Sequence, residues 1–292
     1  MIFYKSVIEY YMLSETQVKM AFEYACKLDV FSIKPGNVLL NYPAYGMTHK
    51  DFLQASMACS DIICEPNMDI GDKVYECISA SMDVVGCNAN LGIVLLCVPN
   101  VEALYLDKNQ IFKQENLMST ISEINEKQTK KIYKAINLAS AGGMGEKDKF
   151  DLNSSNNKNF TFMEAMNYAS SYDYIALQYK ENFDNIINNL APKWREYFKN
   201  FNNDENATTA LFLDLISVVP DSLIARKYGI DKAKEVSSKF LELSKEYSCS
   251  KNPNSLNNQL LLMDSELKIQ GLNPGTTADV VVASIFLNRL GL

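Results

Sequence analysis

The sequence predicts an all-α fold, a single compact multi-helical domain over residues 1–292. Three observations carry that reading. Apolar residues recur at helical spacing in one segment after another, strand-like alternation is nearly absent, and Pro, Gly and Asn fall between the periodic stretches. With 292 residues, 47% of them hydrophobic and 22% charged, the chain is long enough to bury a large core.

The elements follow in order. Ser14-Glu15-Thr16-Gln17 has the form of a capping box, opening a helix to about Leu28 with Val18, Ala21, Phe22, Ala25 and Cys26 on one face. KPGNV (34–38) and the residues that follow form a loop, and a helix restarts at Thr48 and runs to about Cys64. Further helices are expected from Asp72 to Val85 and, beyond Gly86, through a very apolar run to Val98. A long amphipathic stretch from Glu115 to Ser140 ends at Gly142-Gly143, and residues 151–159 read as a polar, mobile loop. Helices resume at Phe162, break near Pro192 and around residues 200–206, then cover 207–219, 231–247, 257–269 and 277–290. No internal repeat stands out.

Composition narrows the function. The net charge is −7 and Lys and Arg are scattered, which argues against a nucleic-acid partner. The seven cysteines are never at CxxC spacing and mostly sit in apolar stretches, as buried thiols in a reducing compartment do. One histidine, His49, gives no basis for a His-rich metal site or a His-dependent triad; it stands at a helix start, in a surface or capping role. The N-terminus has no signal-peptide pattern, and the most apolar segment, 91–98, is too short to span a bilayer. A cytoplasmic protein without a membrane partner is expected.

Polar clusters interrupt these apolar helices. Asn273-Pro274-Gly275 is a turn signal, and Thr276 with Asp279 has capping-box spacing at the mouth of an apolar helix. Free N–H groups and partial positive charge at such a start suit an anion, and Asp279 suits the metal that accompanies a phosphate; an ordinary capped helix explains the same spacing. Lys34, before Pro35-Gly36-Asn37, suits phosphate as a point charge or is a solvated loop lysine. Asn88 and Asn90 face a ligand or cap a helix joint. Asp173 reads as a carboxylate inside an apolar helix, which needs a cation, a metal or exposure. Asp221 stands at a helix start, with Arg226 placed to pair with it or to reach a phosphate. Gly142-Gly143-Met144-Gly145 lacks the ending of a Walker P-loop.

Six segments, taken in order, make the chain resemble the triphosphoribosyl-dephospho-CoA synthase family, most of all its archaeal and C1-metabolism branch. They are KPGNV (34–38), GCNANLG (86–92), AGGMGEKDKFDL (141–152), FMEAMNYASSYDYIALQY (162–179), VVPDSLIARKYG (218–229) and NPGTTADVVVASIFLNRL (273–290). The resemblance spans residues 14–290 and implies an all-α enzyme that moves the triphosphoribosyl group of ATP onto a hydroxyl of 3′-dephospho-CoA, releasing adenine. Two departures bear on the acceptor: Tyr42 and Pro43 stand where family members carry polar residues, and PGTTAD replaces the PGGSAD of the citrate-lyase branch.

That chemistry is glycosyl transfer through an oxocarbenium-like transition state. It calls for Mg2+ held by one or two carboxylates and the phosphates, with Asp173, Asp221 and Asp279 as candidate ligands. Lys34, Arg226, Gly275, Thr276 and Thr277 are candidates for the phosphates, and Asn88 and Asn90 for ribose, base or phosphate. Asp173 is the expected general base. Two other classes compete: a related phosphoribosyl-type transferase with a pterin-like acceptor, and a non-catalytic nucleotide-binding homologue.

Overall fold

The computed structural model describes residues 13–139 and 161–291. The described chain is all-α, with fourteen α-helices and no strand. They are α1 (Glu15–Phe31), α2 (His49–Cys64), α3 (Ile70–Val85), α4 (Leu91–Tyr105), α5 (Gln114–Ser122), α6 (Glu126–Leu138) and α7 (Phe162–Ala169). After these come α8 (Tyr174–Lys180), α9 (Ala191–Phe201), α10 (Asp204–Val218), α11 (Ser222–Tyr228), α12 (Ile230–Cys249), α13 (Asn257–Ile269) and α14 (Gly275–Arg289). A π-turn at Ile186–Leu190 leads into α9, and a 3-10 turn at Pro253–Leu256 leads into α13.

Two helices form the centre. α4 and α14 are apolar on nearly every side, and a helix of that kind is stable only when enclosed by others. α14 packs against α1, α4, α9 and α10, with Phe22 edge-on to Phe286 at 6.0 Å. Of the amphipathic helices, α3 packs against α4 and α2 against α1 and α3, while α6 lies outside α3 and α12 outside α10 and α11. No single described helix is long and apolar enough to cross a membrane.

The structure moves several expected boundaries, each for a local reason. α4 passes its expected end at Val98 and continues through Pro99. Proline has no N–H, so the Leu95 carbonyl four residues earlier loses its helical donor. The buried Tyr179 hydroxyl donates to that carbonyl instead. The stretch from 115 is two helices, α5 and α6, because Asn125 and Gln128 close a capping box in its middle. Its expected end at Gly142-Gly143, the glycine-rich turn and the loop at 151–159 lie outside the described residues.

Asp173 is not inside a helix. It is the N-cap of α8, its side chain accepting from the N–H groups of Ile175 and Ala176 at 2.8 and 3.1 Å. Asp is a good cap because its carboxylate satisfies orphan N–H groups that no helix residue can. Thr276 and Asp279 form no capping box: α14 starts at Gly275 with Pro274 at its cap position and no side-chain cap there. Thr276 is engaged sideways, accepting from Ser222 Oγ at 3.1 Å.

Candidate active site

A cavity of about 1040 Å³ opens where the start of α14 meets the starts of α4, α8 and α11. Its lining includes the charged side chains of Asp29, Asp173, Asp279, Arg226 and Lys227. It also includes apolar side chains, among them Tyr133 and Ile136 of α6 and Ala165 and Met166 of α7. A lining that mixes charged and apolar groups suits a molecule that carries both.

Two loops distant in sequence are drawn together beside the cavity. Gly36 adopts φ +90°, and a Cβ there would lie 2.7 Å from Pro274 Cδ and 2.8 Å from the Leu272 carbonyl. Only glycine permits both that backbone and that approach. Gly36 N–H donates to Asp264 Oδ1 at 2.8 Å, and Asn37 Nδ2 donates to Asn273 Oδ1 at 2.7 Å.

Lys34 is neither a solvated loop lysine nor on the cavity wall. It is 0% exposed and pairs with the buried Asp29, its ammonium 6.0 Å from the Phe212 ring. Breaking a buried pair of this kind costs about 3–5 kcal/mol, because the surviving charge is left without a partner. Lys34 therefore touches the cavity wall only through its partner Asp29, which does line it.

Asp221 is also behind the wall. One oxygen caps α11 through Leu223 and Ile224, and the other accepts from Thr277 N and Thr277 Oγ1, both at 2.8 Å. Burial pushes its acid upward while these four donors pull it back. Thr277 is thereby tied to α11 and turned from the cavity. Arg226 does not pair with Asp221: its Nη1 donates to Asp173 Oδ2 at 2.7 Å, and its buried Nε has no acceptor.

Asp279 differs from the other acids. It accepts no hydrogen bond among the described residues, and its surface opens to the cavity. Burial, then the neighbouring carboxylates of Asp29 and Asp221, push its acid well above the ordinary range. Gly92 of α4 makes room for it, since a Cβ there would fall 2.1 Å from Asp279 Oδ2. Asn88 and Asn90 border the same corner: Asn88 Oδ1 accepts from Leu91 N–H at 3.1 Å, and Asn90 Nδ2 donates to Cys59 Sγ at 3.2 Å. Gly275 and Thr276 complete it.

No group of three His, Cys, Asp or Glu side chains among the described residues converges as a ready metal cage. Mg2+ does not need one. It is commonly held by one or two carboxylates, with phosphate oxygens and waters filling the rest. An unpartnered carboxylate with other acids close by fits a divalent cation brought in with a polyphosphate.

A family model described as ATP:dephospho-CoA triphosphoribosyl transferase matches residues 15–292. The chain belongs to this family. It is therefore a triphosphoribosyl transferase, the enzyme class its ordered motifs resemble. Among solved structures, one from Archaeoglobus fulgidus, provisionally named a triphosphoribosyl-dephospho-CoA synthase, is similar in fold. The TM-score is 0.58 at 21% identity, over 82% of this chain and 96% of that one. No curated protein matches the chain.

Of the transferase residues expected from sequence, Asp173, Asp279, Arg226, Asn88, Asn90, Gly275 and Thr276 border one cavity, whereas Lys34, Asp221 and Thr277 support it from behind. Asp29 and Asn37 were missed. Asp29 did carry a signal: an acid between Leu28 and Val30 near a helix C-terminus, where the helix dipole disfavours negative charge.

Proposed function

We propose that this transferase moves the triphosphoribosyl group of ATP to 3′-dephospho-CoA in the cavity beneath α14, with release of adenine. The supporting observation is the Asp279 carboxylate, which has no hydrogen-bond donor among the described residues and stands near Asp29, Asp173 and Asp221. Such an arrangement calls for a cation, and a magnesium–triphosphate brings one. Asp279 with Asp29 or Asp173 would hold the Mg2+, which would neutralise phosphate charge. Arg226, paired with Asp173 while the site is empty and with its Nε unused, turns to a phosphate oxygen when the nucleotide binds.

The remaining residues bind and orient. Asn88, Asn90 and Thr276 supply polar contacts at the corner where α4 and α14 begin, and the apolar side chains of the lining exclude water from the reacting carbon. Asp173 takes the acceptor hydroxyl's proton when the triphosphate draws Arg226 away from Oδ2; while the two are paired, that oxygen is occupied. Asp221 acts through Thr277, holding the start of α14 in place. We place the protein in the cytoplasm, as a single catalytic domain, on the strength of its seven free thiols, five of them buried, and its shared core.

The test is chromatography of purified protein with ATP, Mg2+ and 3′-dephospho-CoA, following free adenine. Adenine that appears only when all three are present is the expected result. ATP bound but left intact at saturating dephospho-CoA sinks the acceptor assignment and moves the search to other hydroxyl acceptors.

A further inference from the structure

Asn37 lines the cavity, is 6% exposed, and uses its side-chain amide at one end only. Nδ2 donates to Asn273 Oδ1 at 2.7 Å, while Oδ1 is buried and accepts from nothing among the described residues. The backbone that carries this side chain is held in place. Its own N–H donates to the Lys34 carbonyl at 3.1 Å, and the preceding Gly36 is clamped between Pro274, Leu272 and Asp264. A buried amide oxygen nearly always has a donor, and an orphan on a cavity wall is completed by whatever fills the cavity.

The chemistry of that occupant is restricted. An amide oxygen is acceptor-only, so it repels phosphate oxygens and carboxylates and takes an O–H or N–H donor. Arg226 is the complementary case on the same cavity, with a buried Nε that lacks an acceptor. One orphan calls for an anion and the other for a hydrogen-bond donor. A nucleoside triphosphate carries both.

We propose that Asn37 is a specificity-determining residue whose Oδ1 accepts a hydrogen bond from a neutral donor on the nucleoside part of the bound nucleotide. This rests on the reading that the cavity holds ATP. The donors available are the two ribose hydroxyls and the adenine amine, and the test separates them.

Dissociation constants are measured by calorimetry for ATP, 2′-deoxy-ATP, 3′-deoxy-ATP and the triphosphate of purine riboside, which lacks the amine. The proteins are wild type, Asn37→Ala and Asn273→Ala. Wild type is expected to bind one of the three analogues about five- to tenfold more weakly than ATP, the size of one lost hydrogen bond. Asn37→Ala abolishes that ratio. Asn273→Ala breaks the same amide pair but keeps the acceptor, so it retains the ratio even if every affinity falls.

Asn37→Asp, which keeps an oxygen in place, also retains the ratio, and Asn37→Ser replaces the alanine variant should that one not fold. Equal ratios in wild type and Asn37→Ala, or a wild type that distinguishes none of the analogues, overturn the proposal. Wild type that binds no ATP overturns it together with the function. Wild type that binds ATP without releasing adenine removes the function alone, and the ratios still decide Asn37.

Discussion

Asp279 occupies the space that a side chain at position 92 would need: a Cβ on Gly92 lies 2.1 Å from Oδ2 and 2.6 Å from Cγ of this aspartate. The second glycine of GCNANLG is thus a condition for the carboxylate to face the cavity at all. Gly92→Ala is expected to lower adenine release by about a hundredfold or more through displacement of Asp279. Gly86→Ala is the control. Its Cβ meets nothing within 4 Å, and its φ of +70° costs only stability, about 1 kcal/mol. Far-UV circular dichroism with turnover separates the two; full activity in folded Gly92→Ala refutes the role given to Asp279.

Asp279 also makes stability depend on pH. Its folded-state acid is raised, by burial first and then by Asp29 and Asp221. The native protein therefore keeps a proton that the unfolded chain releases. Stability from this group is complete below the ordinary aspartate value of about 4, and is lost as pH rises through the elevated folded value. Without divalent cations, Asp279→Asn is expected to melt a few degrees above wild type at pH 8, with the gap closing near pH 4. Added Mg2+ narrows the gap by stabilising wild type. Parallel melting curves across that range count against the buried charge.

Asp221 is predicted to matter for folding before it matters for metal. Asp221→Ala strips the cap from α11 and leaves Thr277, Leu223 and Ile224 without their acceptor. A loss of about 3 kcal/mol in urea unfolding is expected. The Mg2+ concentration giving half-maximal turnover, measured where the variant is folded, should stay at the wild-type value. A large rise would instead make Asp221 a ligand.

The proline in α4 allows a cleaner test of energetics. Tyr179→Phe removes the donor to the Leu95 carbonyl and should cost about 1–2 kcal/mol. In a Pro99→Ala background the restored N–H serves that carbonyl, and the same substitution should cost only a few tenths of that. Equal costs in both backgrounds would show that the hydroxyl does not replace the lost helical bond.

Much of this was legible from sequence, for reasons that differ by element. The capping box at Ser14 and the apolar runs of α4 and α14 are local signals, and local physics carries them through unchanged. Pro99 was invisible as a continuation because its compensation comes from Tyr179, far away in sequence. The apolar pattern runs on through residue 173 and so reads as one helix there, yet the carboxylate of Asp173 starts a new one. At the site, residue types were readable but depth was not. Lys34 has the composition of a loop cation, and only the packing of Asp29 and Phe212 around it reveals a buried one.

The clasp between Gly36 and Pro274 has a consequence for biosynthesis. Asn37 and Asn273 are 236 positions apart, and Gly36 and Asp264 are 228 apart. A nascent chain emerging from the ribosome cannot finish the cavity, or enclose α1 and α4, until α14 has been made. Contacts of such long separation form late and slowly. The first loop waits, half-built, for a strap translated 236 positions later.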